Sequence, residues 1–499
     1  MTDVRSTVPA ARVTAANAAP VRGEGDYVVY WMIAARRTRW SFALQRAVDW
    51  CVELRKPLVV LEGIRAGYRW ACDRFQAFAI DGMADNAAAF AAAGVRHHPY
   101  VEPADGAGKG LLEALAARAC IVITDEFPEF FLPRMVAAAG RRLPVRLEMV
   151  DGNGLLPLRA TEKAHVTAFH FRRFLHAHLP EHLDRAPEPD PLARLGGLPA
   201  AHLPAGVTRR WPAASAALLR REPSALAALP IDHTVPPVGF RGGPVHGEAV
   251  LRSFIAQRLP RYADERNHPE LEAASGLSPY LHWGFVGAHQ VFAALAAAQR
   301  WTPERLALKP TGAREGWWGM DRTSEAFVDQ LVTWRELAYN TAHHLPDHDR
   351  YATLPAWARA SLDKHATDDR DLLTLDQLDA GQSYDELWNA TQGQLRVEGR
   401  IHNYLRMIWG KRFLEWTRDA EQAVEWMLHL NNRWALDGRN PNSVSGIFWC
   451  LGRYDRPWGP ERPVFGVVRY MSSANTARKV RVKDYIARYA PTSAPSLGL

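Results

Sequence analysis

Three tryptophans in the C-terminal half have the spacing that an electron relay requires. Trp409 and Trp416 are seven residues apart in a segment of helical pattern, so they share one stripe of a helix, about 10 Å apart along its axis. Trp388 lies on the preceding predicted helix, which a short connection would fold back alongside. Indole rings spaced in this way can pass an electron from the surface to a buried acceptor. The alternative is that all three are ordinary core aromatics.

A second candidate region is the segment 431–442, where amides and charges crowd an otherwise apolar part of the chain. Glycine and proline fix its turns, and its polar groups need hydrogen-bond partners if they are buried. A large heteroaromatic cofactor would supply such partners, and Arg406 can pair with Asp437 beside it. The alternative is a solvated loop.

Further candidates for binding lie between 266 and 449. Residues 274–278 begin a predicted helix with small and hydroxyl side chains, where exposed N–H groups favour a phosphate, although many helices begin this way. Arg266 and Asn267 can contact nucleic-acid phosphates, and Trp334 and Trp449 are large rings that can stack on bases. Each of these side chains is also common on a surface or in a core.

The first third of the chain alternates short apolar runs with helical segments. Strands are predicted at residues 27–32, 57–61, 95–101, 121–124 and 145–150. A strand, helix, strand order at this spacing predicts an α/β domain with a Rossmann-like, doubly wound parallel sheet. The glycine-rich dinucleotide fingerprint is missing after the first strand, which favours a structural or auxiliary-ligand role for this domain.

The rest of the chain divides into a linker and a helical region. Twelve prolines fall between residues 180 and 244, too many for regular structure, and helical periodicity then continues almost to the end. The second domain is therefore expected to be all-α. The predicted domains are a disordered N-terminus over 1–25, a Rossmann-like α/β domain over 26–179, a linker over 180–246, a helical domain over 247–489 and a tail over 490–499.

Composition excludes several classes of protein. The 499 residues are 47% hydrophobic and 23% charged, enough for more than one core. No run approaches the ~20 apolar residues of a membrane span, and four scattered cysteines predict neither disulfides nor a metal site. A cytoplasmic protein without membrane or metal partners is therefore expected. The net charge of +7 favours an anionic partner, and residues 396–488 hold 17 basic side chains against nine acidic ones.

Seven short motifs follow one another in the C-terminal half. They are Ser-Gly-Leu-Ser-Pro-Tyr-Leu-His-Trp-Gly at 275–284, Trp-Arg-Glu-Leu-Ala-Tyr-Asn at 334–340, Leu-Pro-Ala-Trp-Ala at 354–358, Glu-Leu-Trp-Asn-Ala at 386–390, His-Asn-Tyr-Leu-Arg-Met-Ile-Trp-Gly-Lys at 402–411, Leu-Asp-Gly-Arg-Asn-Pro-Asn at 436–442 and Arg-Pro-Val-Phe-Gly with Arg-Tyr-Met at 462–471. In this order they resemble the cryptochrome/photolyase family, and most of all its class II cyclobutane pyrimidine dimer photolyases. The likeness covers roughly residues 27–489.

The resemblance implies a deoxyribodipyrimidine photolyase. Such an enzyme holds a folded FAD in its helical domain, binds UV-damaged DNA and splits the dimer by electron transfer from the photoexcited, reduced flavin. A monomer is expected. The antenna chromophore, a deazaflavin or a folate, stays open, because residues 34–41 lack the acidic and amide side chains expected after the first strand.

The resemblance also assigns roles to individual residues. The implied electron-transfer residues are Trp409, Trp388 and Trp416, from the flavin outward, with Asn431 facing flavin N5. The implied FAD-binding residues are Tyr262, Ala274, Ser275, Gly276, Leu277, Ser278, Arg406, Asp437 and Arg439. The implied contacts with the lesion or the DNA around it are Arg266, Asn267, Gln330, Trp334 and Trp449.

Gln330 departs from the family pattern, since class II enzymes usually carry a glutamate at this position. Glutamine exchanges hydrogen bonds with a thymine edge but cannot transfer a proton. Weaker dimer repair, a (6-4) photoproduct substrate and a changed role therefore stay open. The competing hypothesis is a cryptochrome-like blue-light photoreceptor on the same scaffold, because fold alone does not settle function.

Overall fold

The computed structural model describes residues 6–490, and these residues form two compact units. Unit 1 contains the residues up to Lys163 together with Leu175–Ile255 and Gly276–Pro310. Unit 2 contains Ala164–Phe174, Ala256–Ser275 and the chain from Thr311 onward. No helix of the described residues is long and apolar enough to cross a membrane.

Unit 1 is built on a six-stranded sheet in the order β1-β6-β5-β2-β3-β4. The strands are β1 (Val13–Ala15), β2 (Tyr27–Met32), β3 (Leu58–Ile64), β4 (Arg96–Val101), β5 (Ala119–Glu126) and β6 (Leu147–Asp151). The strands β2 to β6 are parallel, and β1 pairs antiparallel with β6 at one edge. Every residue of β2 is buried, as expected for a parallel strand covered on both faces. The five parallel strands follow the order of a doubly wound fold, which confirms the predicted fold class.

Helices account for most of the remaining structure. In the first part of the chain they are α1 (Phe42–Leu54), α2 (Asp73–Ala92), α3 (Leu111–Ala116), α4 (Leu132–Gly140), α5 (Ala168–His178), α6 (Ala205–Arg210), α7 (Ala216–Leu219), α8 (Pro223–Ala227), α9 (Pro244–Ser253), α10 (Tyr262–Glu265), α11 (Ser278–His282) and α12 (Ala288–Ala298). They continue with α13 (Arg322–Val328), α14 (Arg335–His344), α15 (Ala356–Lys364), α16 (Leu375–Ala380), α17 (Glu386–Glu398), α18 (Asn403–Trp416), α19 (Ala420–Trp434), α20 (Pro441–Cys450), α21 (Ser473–Lys479) and α22 (Lys483–Tyr489).

The N-terminal segment is ordered where disorder was predicted. Of the predicted disordered residues 1–25, those from 6 onward are described, and β1 within them extends the sheet by pairing Val13 with Val150 of β6. Just before β1, the buried guanidinium of Arg12 lies 3.6 Å from the carboxylate of Asp151. The prediction of disorder depended on composition alone, because a strand of three paired residues and a single ion pair leave no periodic pattern in a sequence. Residues 1–5 and, apart from Ala490, the predicted tail lie outside the described residues.

The proline-rich segment 180–246 belongs to unit 1 and contains short helices. Proline at the first helical position starts a helix without losing a hydrogen bond, as at α8. Trp211 of this segment is buried in one apolar cluster of the sheet domain, Leu192 in a second and Leu218 in a third. The segment therefore covers the surface of the sheet domain with its apolar side chains.

Unit 2 is helical, and no strand of the sheet lies in its described part. The helices α13 and α14 are joined by a π-helical turn, Asp329–Trp334. The helix that carries Trp388 is capped by Asp385, whose side chain accepts a hydrogen bond from the Trp388 N–H at 3.1 Å. The helix ends at Gly399, whose positive φ of 65° lets the chain turn back toward α18.

Candidate functional site

The three predicted relay tryptophans form one aromatic cluster inside unit 2. Trp388 of α17 and Trp416 of α18 meet edge to face, with ring centroids 5.0 Å apart. The Phe413 ring contacts both Trp409 and Trp388, with its centroid 4.8 Å from the Trp409 ring and 5.8 Å from the Trp388 ring. The phenyl ring, which was not predicted from the sequence, completes a continuous path through the cluster.

Hydrogen bonds hold each indole in one orientation. The Trp388 N–H donates to the backbone carbonyl of Trp409 at 2.9 Å, and the Trp409 N–H donates to Gln392 Oε1 at 2.9 Å. The Trp416 N–H donates to the hydroxyl of Tyr384 at 3.0 Å. All three indoles are at most 1% exposed, so the tryptophans themselves do not reach solvent.

A polar cluster lies on the same helix as two of these rings. Arg406 is three residues before Trp409 on α18, and its guanidinium donates to Asn431 Oδ1 at 3.1 Å. The Asn431 amide in turn donates to Ser443 Oγ at 2.7 Å and is fully buried. Asp437 lies 3.6 Å from the Arg406 guanidinium, as an ion pair.

The part of the segment 431–442 that connects α19 to α20 is a tight, mostly buried turn and not a solvated loop. Arg439 has a positive φ of 56°, and its backbone N–H donates to Asn432 Oδ1 at 2.8 Å. The Arg439 side chain, only 4% exposed, donates to the backbone carbonyl of Asn432. Asn440 then caps α20 by accepting from the Asn442 N–H at 2.9 Å. The backbone and the side chain of Arg439 therefore stabilise the turn.

One carboxylate oxygen of this cluster is left without a hydrogen bond. Asp437 Oδ1 is buried and accepts no hydrogen bond from the described residues. The Arg406 guanidinium at 3.6 Å attracts it electrostatically but is too far away to donate a hydrogen bond. Buried acceptors in proteins are normally satisfied, so this oxygen fits the N–H edge of a bound heteroaromatic ring.

Burial shifts the pKa of two basic groups at the ends of this region. It lowers the pKa of His402, just before α18, to about 4, so this imidazole is neutral at pH 7. It lowers the pKa of Lys411 to about 8, and the ammonium donates to the backbone carbonyl of Cys450. His402 lies one turn before Arg406. Because this imidazole is neutral, the positive charge at this end of α18 comes from the Arg406 guanidinium.

The predicted phosphate turn is divided between the two units. Ala274 and Ser275 belong to unit 2, whereas Gly276, Leu277 and Ser278 belong to unit 1. Within unit 2, the Arg258 guanidinium donates to the Ala274 carbonyl at 3.1 Å. The pKa of Arg258 is lowered by burial and by the neighbouring charge of Arg400. The Arg258 guanidinium at this backbone, with the charge of Arg400 in its neighbourhood, suits an anionic ligand such as a diphosphate.

Tyr262 and Arg266 pack against the helix that leads to Gln330. The Tyr262 ring meets Phe327 of α13 edge to face at 5.4 Å, and the Arg266 guanidinium lies 5.3 Å from the Tyr262 centroid. Burial raises the pKa of Tyr262, which is therefore a neutral phenol. Gln330 and Trp334, both half-buried, lie on the π-helical turn, a feature often found at functional sites. Asn267 is exposed.

A ladder of arginines and indoles extends from Trp449. The Arg469 guanidinium lies 5.8 Å from the Trp449 ring and 4.9 Å from the Trp458 ring, and Arg456 lies 4.5 Å from Trp458. Such stacking holds cations and flat rings together on one face. Arg469, Trp458 and Arg456 were not predicted from the sequence, because residues 451–470 lack helical periodicity; the excess of basic residues there was the available signal.

Unit 1 has a polar site of its own at the point where the strand order reverses, between β2 and β5. Asp125 Oδ2 accepts the backbone N–H groups of Ile33, Ala34 and Ala35 at 2.9, 2.8 and 3.0 Å. Asp125 Oδ1 accepts the Tyr30 hydroxyl at 2.8 Å. Nucleotide phosphates bind at this position in many doubly wound folds, but here the chain fills the nest of N–H groups with its own carboxylate.

Comparison with known proteins identifies the family. The chain is 30% identical over 471 residues to a deoxyribodipyrimidine photo-lyase of Methanothermobacter thermautotrophicus, with 93% of this chain and 94% of the relative covered. The chain belongs to the deoxyribodipyrimidine photolyase family. It is an enzyme, and the predicted family is confirmed. No protein-family model matches the chain.

A second relative supports the family, and one solved structure supports the fold. A deoxyribodipyrimidine photo-lyase of Oryza sativa subsp. japonica is 32% identical over 485 residues, covering 93% of this chain and 87% of the relative. The crystal structure of a bacterial class III photolyase from Agrobacterium tumefaciens has a TM-score of 0.67 at 17% identity, covering 93% and 86% of the two chains. At that identity the likeness shows the shared photolyase fold.

Proposed function

We propose that the protein is a light-driven DNA repair enzyme that binds FAD and splits cyclobutane pyrimidine dimers in UV-damaged DNA. The observation that carries the proposal is the unsatisfied carboxylate oxygen of Asp437 beside Arg406, on the helix that also bears Trp409. A half-buried ion pair with a buried, unsatisfied acceptor oxygen, next to a series of aromatic rings, suits a redox-active ring with N–H donors. Membership of the photolyase family supports the same function.

The residues that would hold FAD fall into two groups. Arg406, Asp437 and Asn431 present a guanidinium, a carboxylate and an amide to the ring system. Arg258 and the backbone at 274–275 offer positive charge to the diphosphate. When bound, reduced FAD supplies on illumination the electron that opens the cyclobutane ring, and regains it afterwards.

The aromatic cluster would supply electrons that keep the cofactor reduced. Trp409 gives an electron inward and recovers one from Trp388, which in turn recovers one from Trp416. The 5.0 Å ring contact of Trp388 and Trp416 and the bridging Phe413 keep the steps short. Because the rings are buried, water does not quench the transient radicals.

The lesion would be bound outside the helix stack of the DNA. Extrusion of a base costs a few kcal/mol, less for a damaged pair, and photolyases are themselves among the enzymes that take their target out of the stack. Trp449 and Trp334 offer flat surfaces for exposed bases, and Arg266, Asn267 and Arg469 offer contacts to phosphates. Gln330 would hydrogen-bond a pyrimidine edge with its amide, donating and accepting at once.

Illumination of the reduced holoprotein with defined lesions tests the proposal. Oligonucleotides with a cyclobutane dimer or a (6-4) photoproduct are exposed to blue light in parallel, with dark controls, and restored bases are counted. We expect restoration of the dimer in the light only, and a higher yield in Gln330→Glu. A protein that retains no FAD would refute the proposal, and restoration of the (6-4) lesion alone would replace the proposed substrate.

A further inference from the structure

The tryptophan series ends one residue short of solvent. Trp416, its outermost indole, is 0% exposed, so a reductant in solution cannot touch it. Tyr384 lies directly against it, with ring centroids 5.6 Å apart and the rings edge to face. The Tyr384 hydroxyl accepts the Trp416 N–H at 3.0 Å, while the side chain is 61% exposed. Tyr384 therefore connects the buried series to the surface.

We propose that Tyr384 is the outermost electron donor of the series and that Asp371 takes up its proton; this rests on the proposed function. After Trp416 has passed an electron inward, its radical cation takes one electron from Tyr384. The phenolic O–H bond breaks, and the proton moves to the Asp371 carboxylate. Trp416 returns to a neutral indole, and Tyr384 becomes a neutral phenoxyl radical. A thiolate in solution then returns the electron, and Asp371 returns the proton.

The hydrogen bonds around the hydroxyl have the direction that this step needs. Because the Tyr384 oxygen accepts from Trp416, its own hydrogen is free to point to Asp371 Oδ2, 3.4 Å away. The contact is long, and it shortens readily because both side chains are exposed. A backbone hydrogen bond of 3.0 Å from the Leu373 N–H to the Trp416 carbonyl holds the Asp371 segment beside the ring.

The charges near this end favour a transient positive charge. Arg412, 5.7 Å from the Trp416 ring, pairs with Asp385 and with Glu415. Together with Asp371, and with Arg370, which donates to the Leu414 carbonyl at 3.1 Å, this end of the series holds three carboxylates and two guanidinium groups. A net negative environment stabilises a cation radical on Trp416, and it favours uptake of the phenolic proton by a nearby carboxylate.

The test compares three single variants of the FAD-loaded protein. Tyr384→Phe keeps the ring and removes the hydroxyl, and Asp371→Asn removes the proton acceptor. Tyr351→Phe is the matched control, since Tyr351 also donates to a carboxylate, Asp363 at 2.7 Å, and makes no ring contact with the series. Each protein, with oxidised flavin, is flashed with blue light in the presence of dithiothreitol. The readouts are the yield of reduced flavin, the radical type by electron paramagnetic resonance, and the solvent deuterium effect.

We expect Tyr384→Phe to lower the yield several-fold and to replace the phenoxyl signal by a tryptophanyl signal. Asp371→Asn should lower the yield less and weaken the deuterium effect, and Tyr351→Phe should match the unmodified protein. An unchanged yield and radical in Tyr384→Phe would overturn the inference.

Trp409→Phe separates this inference from the proposed function. If Trp409→Phe abolishes photoreduction while Tyr384→Phe has no effect, only the role of Tyr384 is wrong. If Trp409→Phe photoreduces like the unmodified protein, the whole relay is wrong, and the inference falls with it.

Discussion

Two buried carboxylates, one in each unit, differ in whether the chain satisfies them. Asp125 of the sheet unit accepts four hydrogen bonds from its own chain, three of them from consecutive backbone N–H groups. Asp437 of the helical unit keeps one buried oxygen with no hydrogen bond from the described residues. A saturated carboxylate stabilises its loop, whereas an unsatisfied one carries a free-energy cost that a bound ligand with an N–H donor removes.

The contrast assigns different roles to the two units. At the strand-order reversal of the sheet, the position where many doubly wound folds bind a nucleotide, this chain has built a closed structural element. In the helical unit it has left an acceptor open beside a guanidinium and a series of indoles. The first carboxylate should therefore matter for folding, and the second for cofactor binding.

The largest effect is expected for Asp125→Ala. Removal of the carboxylate leaves three backbone N–H groups, one of them buried and two partly buried, without acceptors, so the free energy of unfolding should fall by about 4 kcal/mol. Chemical denaturation followed by circular dichroism measures it. At temperatures where the variant is folded, its affinity for FAD should equal that of the unmodified protein. A weaker affinity in the folded variant would break the assignment of roles.

A smaller effect is expected for Asp437→Asn, in FAD affinity. Loss of a charged acceptor costs about 1.5–3 kcal/mol, which corresponds to roughly a 10- to 100-fold weaker affinity. Flavin fluorescence titration of the apoprotein measures it, with Asp376→Asn on the exposed side of α16 as control. The unfolding free energy of the apoprotein should stay the same or rise, because an unsatisfied charge is removed. Unaltered FAD affinity in Asp437→Asn would contradict the comparison.

The smallest effect concerns Lys411, a buried cation whose ammonium donates to a backbone carbonyl and forms no ion pair among the described residues. Its pKa, lowered from 10.5 to about 8 by burial, makes folding release a proton between these values, so stability should rise with pH in this window. Replacement by methionine removes this dependence. The difference in unfolding free energy between Lys411→Met and the unmodified protein should therefore change by about 1 kcal/mol from pH 7 to pH 9, in favour of the unmodified protein. A difference that is constant with pH would contradict it.

The sequence predicted the parallel sheet well, because its strands are continuous apolar runs. Strand β2 begins and ends where predicted, at Tyr27 and Met32, and the other four parallel strands differ by a few residues at their ends. Strand β1 was missed because its three residues are held by the edge of β6 and not by local pattern. The sequence offers two good capping residues for α17, Ser383 and Asp385, and only the folded turn selects Asp385.

The candidate site was predictable where residues act through spacing along one helix or loop. The closeness of Trp388 to α18 follows from the helix reversal at Gly399, whereas the pairing of Arg406 with Asp437 also needs the reversal between α18 and α19. Phe413, Tyr384 and the arginine ladder at Trp458 were not found, because their roles depend on which face of an element meets another. Such contacts are set by side-chain packing in three dimensions, which periodicity does not record.

The π-helical turn between α13 and α14 makes the proposed lesion contacts a matter of backbone geometry as well as of chemistry. A π turn holds one residue more than an α turn, and each residue of a helix advances the side chains by about 100°. Deletion of one residue from Asp329–Trp334 would turn the π turn into an α turn, so a different side chain would stand beside Trp334 while the helix on either side stays continuous. The side chain presented beside Trp334 is therefore chosen by helical phase, so a single-residue deletion can change it without any substitution.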